Sequence, residues 1–175
     1  MIIKDKNKLQ EKCSPVSVKE GEEIGVRLLH ELRESNNGIG LAANQIGINK
    51  RVCVINVKEP LVLINPKIVE KSKEQFIFPE GCLSFPDSKI KTIRHQDIVV
   101  EADNHDDRLS FSANSQDIND AFECVCVQHE IDHLDGIIII IILNIAIIQG
   151  VINIIFFIVL LMSIHPPTLV ELSYI

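Results

Sequence analysis

The chain changes character at a single point. Residues 1–136 hold all 17 Lys and Arg and 23 of the 24 acidic residues, whereas residues 137–170 contain no Asp, Glu, Lys or Arg. A water-soluble domain needs a polar surface around its apolar core, so the first part alone has the composition of an ordinary folded domain. A chain of 175 residues is long enough for one domain with a real core. The net charge of −7 argues against a general nucleic-acid binder, which would carry a basic stripe. Met1-Ile2-Ile3-Lys4-Asp5-Lys6 places charges where a secretion signal needs an apolar run. The five cysteines (Cys13, Cys53, Cys82, Cys124 and Cys126) are odd in number and show no disulfide spacing, which fits a reducing, cytoplasmic setting.

Periodicity gives the first elements. Ile24, Leu28, Leu29 and Leu32 share one helical face within residues 18–35, and Asn36-Asn37-Gly38 is a stop signal. Val52 to Ile55 and Leu61 to Ile64 read as short strands, and residues 67–79 as an extended stretch ending at Pro79. Phe85-Pro86-Asp87 reads as a turn, and Ile98 to Val100 with Leu109 to Phe111 as a hairpin around the polar Asp103 to Asp107. From about Asn119 to Leu134 the helical period returns in Phe122, Val125, Cys126, His129 and His133. Asn119 or Asp120 is the expected N-cap and Gly136 the expected C′ residue. Short, mostly antiparallel strands around a central helix, without βαβ alternation, predict an α+β fold.

That helix carries His129-Glu130-Ile131-Asp132-His133, an HExxH motif. Residues i and i+4 share a face, so both imidazoles can meet one metal ion, with Glu130 beside them to handle the proton of a water. Two ligands are not a site, because a catalytic tetrahedral ion takes three protein ligands and leaves one position open. The residues alone leave the third open. An HExxH metallopeptidase would take it downstream, but Ile139 stands where the metzincin pattern has its third His, and His165 and Glu171 lie far off in the apolar tail. Upstream, Cys82 stands between Gly81 and Leu83 in a turn-like segment.

Three segments, in order, resemble the motifs of the peptide deformylases. They are Gly38-Ile39-Gly40-Leu41-Ala42-Ala43-Asn44-Gln45, Glu80-Gly81-Cys82-Leu83-Ser84 and Gln128-His129-Glu130-Ile131-Asp132-His133, within about residues 1–140. The resemblance implies a hydrolase that removes the formyl group from N-formylmethionyl nascent peptides and releases formate. Cys82, His129 and His133 would hold one divalent ion, Fe²⁺ first, with Zn²⁺, Ni²⁺ or Co²⁺ able to replace it. Glu130 would serve as general base and then acid, and the Gln45 amide and Leu83 N–H as oxyanion donors. Ile39 and Gly40 resemble the family's substrate-pairing edge, and Gly81 belongs to the same binding surface. Phe122 and Val125, on the turns before His129, are candidates for the methionine pocket or ordinary core residues. Arg94 is either a buried support for Asp132 or Glu80, as in the family, or a surface residue. A transient ribosome contact is expected from the substrate, although no basic C-terminal helix is present to make it.

The resemblance places a catalytic domain at 1–143 and leaves 144–175 as an apolar tail. Residues 137–162 contain 22 apolar residues of 26, including six consecutive isoleucines. As a helix they would span roughly 39 Å, enough for a bilayer. Three readings stand: a shifted reading frame in A/T-rich coding sequence, a membrane anchor, or strands packed on the core. From a different class of function, the chain could be a membrane-anchored binding module whose metal centre is vestigial. Ile137 to Leu143 are the candidates for a strand following the motif.

Overall fold

In the computed structural model, which describes residues 2–35 and 37–139, two long helices enclose a small sheet. A single-turn helix α1 (Lys6–Leu9) precedes α2 (Val18–Glu34), whose N-cap Ser17 accepts a hydrogen bond from the Glu20 N–H at 3.3 Å. Next come β1 (Gly40–Ala42), a 3₁₀ turn (Ala43–Ile46), β2 (Val52–Ile55) and β3 (Leu61–Ile64). These three strands form one antiparallel sheet in the order β1-β2-β3, with Gly40 opposite Ile55 and Val52 opposite Ile64.

The β2 residues are apolar without alternation because both faces of this sheet are covered. Val52 and Val54 pack with Leu28, Leu32 and Leu41 on the α2 side, whereas Cys53 and Ile55 face the second helix. Two glycines let α2 approach closely. A Cβ on Gly21 would stand 2.6 Å from Ile64 Cγ2, and one on Gly25 would stand 2.5 Å from Val62 Cγ1. Each glycine costs the helix about 1 kcal/mol in propensity, and the intimate helix–sheet contact offsets that cost.

β4 (Lys67–Lys71), β7 (Asp97–Glu101) and β8 (Leu109–Ser112) form a second antiparallel sheet in the order β4-β7-β8. Between β4 and β7 the chain makes a long two-stranded hairpin from β5 (Gln75–Cys82) and β6 (Phe85–His95). Here the structure departs from the sequence reading. Residues 67–79 form parts of two strands, β5 runs through Pro79 to Cys82, and Phe85-Pro86-Asp87 begins a strand. Pro79 is tolerated because, among the described residues, β5 pairs on one side only, with β6.

The last described helix, α3 (Ile118–Leu134), is capped by Asp117, which accepts from the Asn119 N–H at 2.9 Å. The cap thus lies two residues before the expected Asn119, and Asp120 occupies the first turn, where its charge complements the helix dipole. Gly136 takes φ of +73°, as a C′ residue should. The helix is buried on more than one face. Cys124, Val127, Ile131 and Leu134 join the core of Cys53, Ile55, Ile98, Val100 and Phe111, and His129, Glu130, Asp132 and His133 face the hairpin or β1. The architecture is α+β, with α3 as its centre.

Ile138 and Ile139 are buried, and residues 137–139 form no strand. The rest of the expected 137–143 strand and the whole 144–175 tail lie outside the described residues. Among the described residues, no helix is long and apolar enough to cross a membrane.

Candidate metal centre

One turn of α3 separates His129 from His133, and their ring centroids stand 4.9 Å apart. Cys82 reaches them from the end of β5. There the hairpin register shifts after Gly81, so Cys82 pairs with Phe85 around the tight turn Leu83-Ser84. Cys82 Sγ lies 3.2 Å from His133 Nε2, and one donor atom from each of Cys82, His129 and His133 falls within 4.8 Å of the others. Adjacent nitrogen and sulfur donors on a tetrahedral ion sit roughly 3.3–3.6 Å apart, so the cluster fits a single metal ion. All three residues are buried.

The surroundings prepare the donors. His129 Nδ1 lies 2.8 Å from Glu80 Oε2, which fixes the ring and leaves Nε2 for a metal. Burial disfavours a charged His129 ring, yet hydrogen bonds with Cys82 and Glu80 and the nearby Glu130 hold its pKa up to about 10. The proton of that charged ring must leave before Nε2 can bind a metal ion. Burial pushes the pKa of His133 well down, which keeps that ring neutral as a ligand must be.

Glu80 is held in turn by Arg94, whose Nε donates to Oε1 at 2.6 Å and Nη2 to Oε2 at 2.9 Å. Arg94 Nη1 also donates to Asp132 Oδ2 at 2.5 Å, and the Thr92 hydroxyl donates to Glu80. Burial works to raise the Glu80 carboxyl, but the hydrogen bonds from His129 and Arg94 outweigh it and hold the pKa at about 2. The alternatives for Arg94 thus resolve to a buried support for both carboxylates.

Glu130 behaves differently. It is 3% exposed, and its Oε2 has no hydrogen-bond partner among the described residues. Burial raises its pKa to about 7, poised to take and return a proton near neutrality. Gln45 stands across from it on the 3₁₀ turn. Its Oε1 accepts the Ala42 N–H at 2.8 Å, which turns Nε2 toward Ser84 Oγ at 3.2 Å and Cys82 Sγ at 3.7 Å. The amide donor therefore faces the centre.

Ile39, Gly40, Gln45, Gly81, Cys82, Leu83, Phe122, Val125, His129 and Glu130 all line one cleft of about 670 Å³. His133 is within hydrogen-bond distance of Cys82 but is not part of the lining. Ile39 and Phe122 stand at the rim, 41% and 39% exposed.

Several contributors escaped the sequence reading. Phe78 lines the cleft from β5. The Asn44 amide donates to the His133 carbonyl at 2.6 Å, tying the 3₁₀ turn to the end of α3. Gln128 accepts from the His95 N–H at 3.0 Å and donates to the His95 carbonyl at 2.9 Å, which docks β6 on α3. Asn44 and Gln128 stand in the quoted motifs, but their tasks depend on residues dozens of positions away. No local signal gives them.

Comparison with known proteins agrees with this geometry. The family model described as polypeptide deformylase matches residues 1–144. A peptide deformylase of Hamiltonella defensa is 46% identical over 103 residues, covering 57% of this chain and 57% of that protein. One from Heliobacterium modesticaldum is 42% identical over 133 residues, covering 74% of this chain and 83% of the relative. The chain spans 57% and 58% of the length of the first two curated relatives it matches. Among solved structures, a probable peptide deformylase from Synechococcus phage S-SSM7 superposes with a TM-score of 0.68 at 34% identity, covering 80% of this chain and 97% of that one. The peptide deformylase of Thermotoga maritima gives 0.65 at 31% identity, with 76% and 88% covered. The match over residues 1–144, with a Cys-His-His cluster on HExxH and EGCLS segments, shows that this chain belongs to the polypeptide deformylase family.

Proposed function

We propose that the protein is a metal-dependent amide hydrolase of the cytoplasm that removes the formyl group from N-formylmethionyl nascent peptides and releases formate. The observation that carries this reading is the convergence of Cys82, His129 and His133 on one point beside Glu130 and the Gln45 amide. A divalent ion held by those three residues, Fe²⁺ foremost, supplies a Lewis acid and lowers the pKa of water there. Glu130 takes the proton of the attacking water and returns it to the departing α-amine. The Gln45 amide and the Leu83 N–H are the donors for the charge that develops on the formyl oxygen; losing such a donor costs about 3–4 kcal/mol of transition-state stabilisation. Ile39 and Gly40 offer an edge for the substrate backbone, and Phe122 and Val125 a wall for the methionine side chain. A formyl carbon bears only hydrogen beyond its amide, so a narrow centre admits it and rejects bulkier acyl groups.

The test is formate release from a formyl-Met peptide by the full chain loaded anaerobically with Fe²⁺ or Ni²⁺. Glu130→Ala should keep the metal and abolish turnover, whereas Cys82→Ala should lose or greatly weaken the metal. A folded, metal-loaded protein that releases no formate would overturn the activity. Full occupancy in Cys82→Ala would overturn the ligand assignment.

A further inference from the structure

The Glu80 carboxylate that holds His129 has a further partner, whose task neither the ligand set nor the Arg94 fork covers. An ionised carboxylate offers about four lone-pair sites. Every one of them is taken. Arg94 Nε donates to Oε1 at 2.6 Å and Nη2 to Oε2 at 2.9 Å, His129 Nδ1 lies 2.8 Å from Oε2, and the Thr92 hydroxyl donates to Oε1. Each oxygen thus carries one contact from the guanidinium and one from another residue.

The hairpin register places Thr92 for this. It stands two residues before Arg94 on β6, so both side chains emerge on the inner face. It pairs with Phe78, and Glu80 lies two residues further along β5 on that face, the diagonal neighbour across the ribbon. The hydroxyl has one proton and two oxygens within reach, the Phe78 carbonyl at 3.3 Å and the Glu80 carboxylate. The ionised oxygen is the stronger acceptor and takes it. A β-branched side chain has a restricted χ1, so the donor is held in place.

The guanidinium alone fixes the plane of the carboxylate but not its place along the fork. Arg94 is itself tied through Nη1 to Asp132 Oδ2 at 2.5 Å, so the fork does not shift to follow. Without the hydroxyl, Oε1 lacks a donor on a side chain that is 4% exposed, where water does not supply one. The carboxylate then turns toward its remaining donors, and the contact of Oε2 with His129 loses its fixed direction.

We infer that Thr92 is a positioning residue for the metal centre: through Oε1 of Glu80 it sets the angle at which the His129 ring presents Nε2. The inference rests on the proposed function for His129 as a metal ligand, not for the reaction.

The experiment measures the Zn²⁺ affinity of the full chain by competition with a chelator. NMR follows the Nδ1 proton of His129 in the Zn²⁺-loaded protein. Thr92→Val keeps the shape and removes the hydroxyl; it should weaken Zn²⁺ binding about 10- to 100-fold and shift or broaden that resonance. Thr92→Ser keeps the hydroxyl and should restore both. Ile93→Val, which trims the outward face of the same strand, should change neither. Wild-type affinity in Thr92→Val would overturn the inference, as would an equal loss in Thr92→Ser or Ile93→Val. So would a lost affinity with an unmoved His129 signal. Formate release by the Ni²⁺-loaded wild type is followed in parallel. Weakened Zn²⁺ binding in Thr92→Val, without any formate release by the wild type, would uphold the role of Thr92 and sink the deformylase reading. Formate release by a protein whose Zn²⁺ affinity the hydroxyl does not affect would sink the role of Thr92 alone.

Discussion

On one side of the cleft, residues 38–46 fit against α3 by shape; on the other, the β5–β6 hairpin is fastened by charge. Leu41, Ala42 and Ala43 are fully buried, and Gly40 passes where a Cβ would stand 2.5 Å from both Cys126 Sγ and Glu130 Oε1. The hairpin instead brings Glu80 and Arg94 to Asp132 and His129, with Arg94 and Glu80 side chains 8% and 4% exposed. Two walls of one site therefore fail in different ways. The first tolerates no added volume, and the second no missing charge.

Removing the guanidinium should have the largest effect. Arg94→Met leaves the buried Glu80 without its bidentate partner and Asp132 without its cation. Breaking such a pair from one side costs about 3–5 kcal/mol, measurable by urea unfolding. Arg94→Lys should recover only part of this, because one ammonium cannot span both carboxylates in the same plane. A loss below about 1 kcal/mol would mean that water reaches the network and that the comparison between the walls is false.

The hairpin wall should also be the acid-sensitive one. Glu80 titrates at about 2 in the folded protein against an ordinary 4.5, so between those values the folded state binds fewer protons than the unfolded. Its contribution is therefore fully present above pH 4.5 and is lost as the pH falls toward 2, about 3 kcal/mol in all. The stability difference between the wild type and Glu80→Gln should shrink across that window. Glu80→Gln also removes the carboxylate that helps hold the His129 pKa up, so the comparison reads Glu80 together with its histidine partner. A difference that stays constant with pH would remove Glu80 from the account.

The shape-built wall is tested by adding one methyl group. Gly40→Ala should cost about 1–3 kcal/mol through overpacking against Cys126 and Glu130. If Glu130 yields by about 1 Å, formate release should fall on the order of 100-fold in kcat. Gly81 is the contrast on the hairpin. It also lines the cleft, but a Cβ there meets nothing within 4 Å, so Gly81→Ala should stay within about 0.5 kcal/mol in stability.

The same contrast explains what could be read from the chain. The pair His129 and His133 was legible because helical spacing alone brings i and i+4 together, and α2 was legible from Ile24, Leu28 and Leu32. The 3₁₀ turn with Gln45 and the Cys82 segment came through contiguous motifs. β6 did not. Its inner residues Thr92 and Arg94 are polar because they serve a buried carboxylate, while Ile93 and its partner Ile77 point outward, each 67% exposed. The usual sense of alternation is thus inverted where the strand serves the site. Phe78 was hidden for a related reason, since it meets α3 across 44 positions of sequence. Burial of α3 on several faces likewise left its period weaker as a guide to which side held the core.

The smallest effect should come from an ion pair on the same helix but away from the cleft. Lys58 Nζ lies 2.5 Å from Asp120 Oδ1 and 2.8 Å from Glu123 Oε2 near the start of α3. The Lys58 side chain is 41% exposed, so water already solvates much of the charge. On distances alone this cluster resembles the one at Arg94. Burial, not proximity, decides what such a cluster is worth, because removing Lys58 leaves two carboxylates that water can reach. Lys58→Met should therefore cost no more than about 1 kcal/mol in urea unfolding, shrink further in high salt, and leave formate release unchanged. A loss comparable with that of Arg94→Met would mean that the first turn of α3 depends on its charges as strongly as the site does.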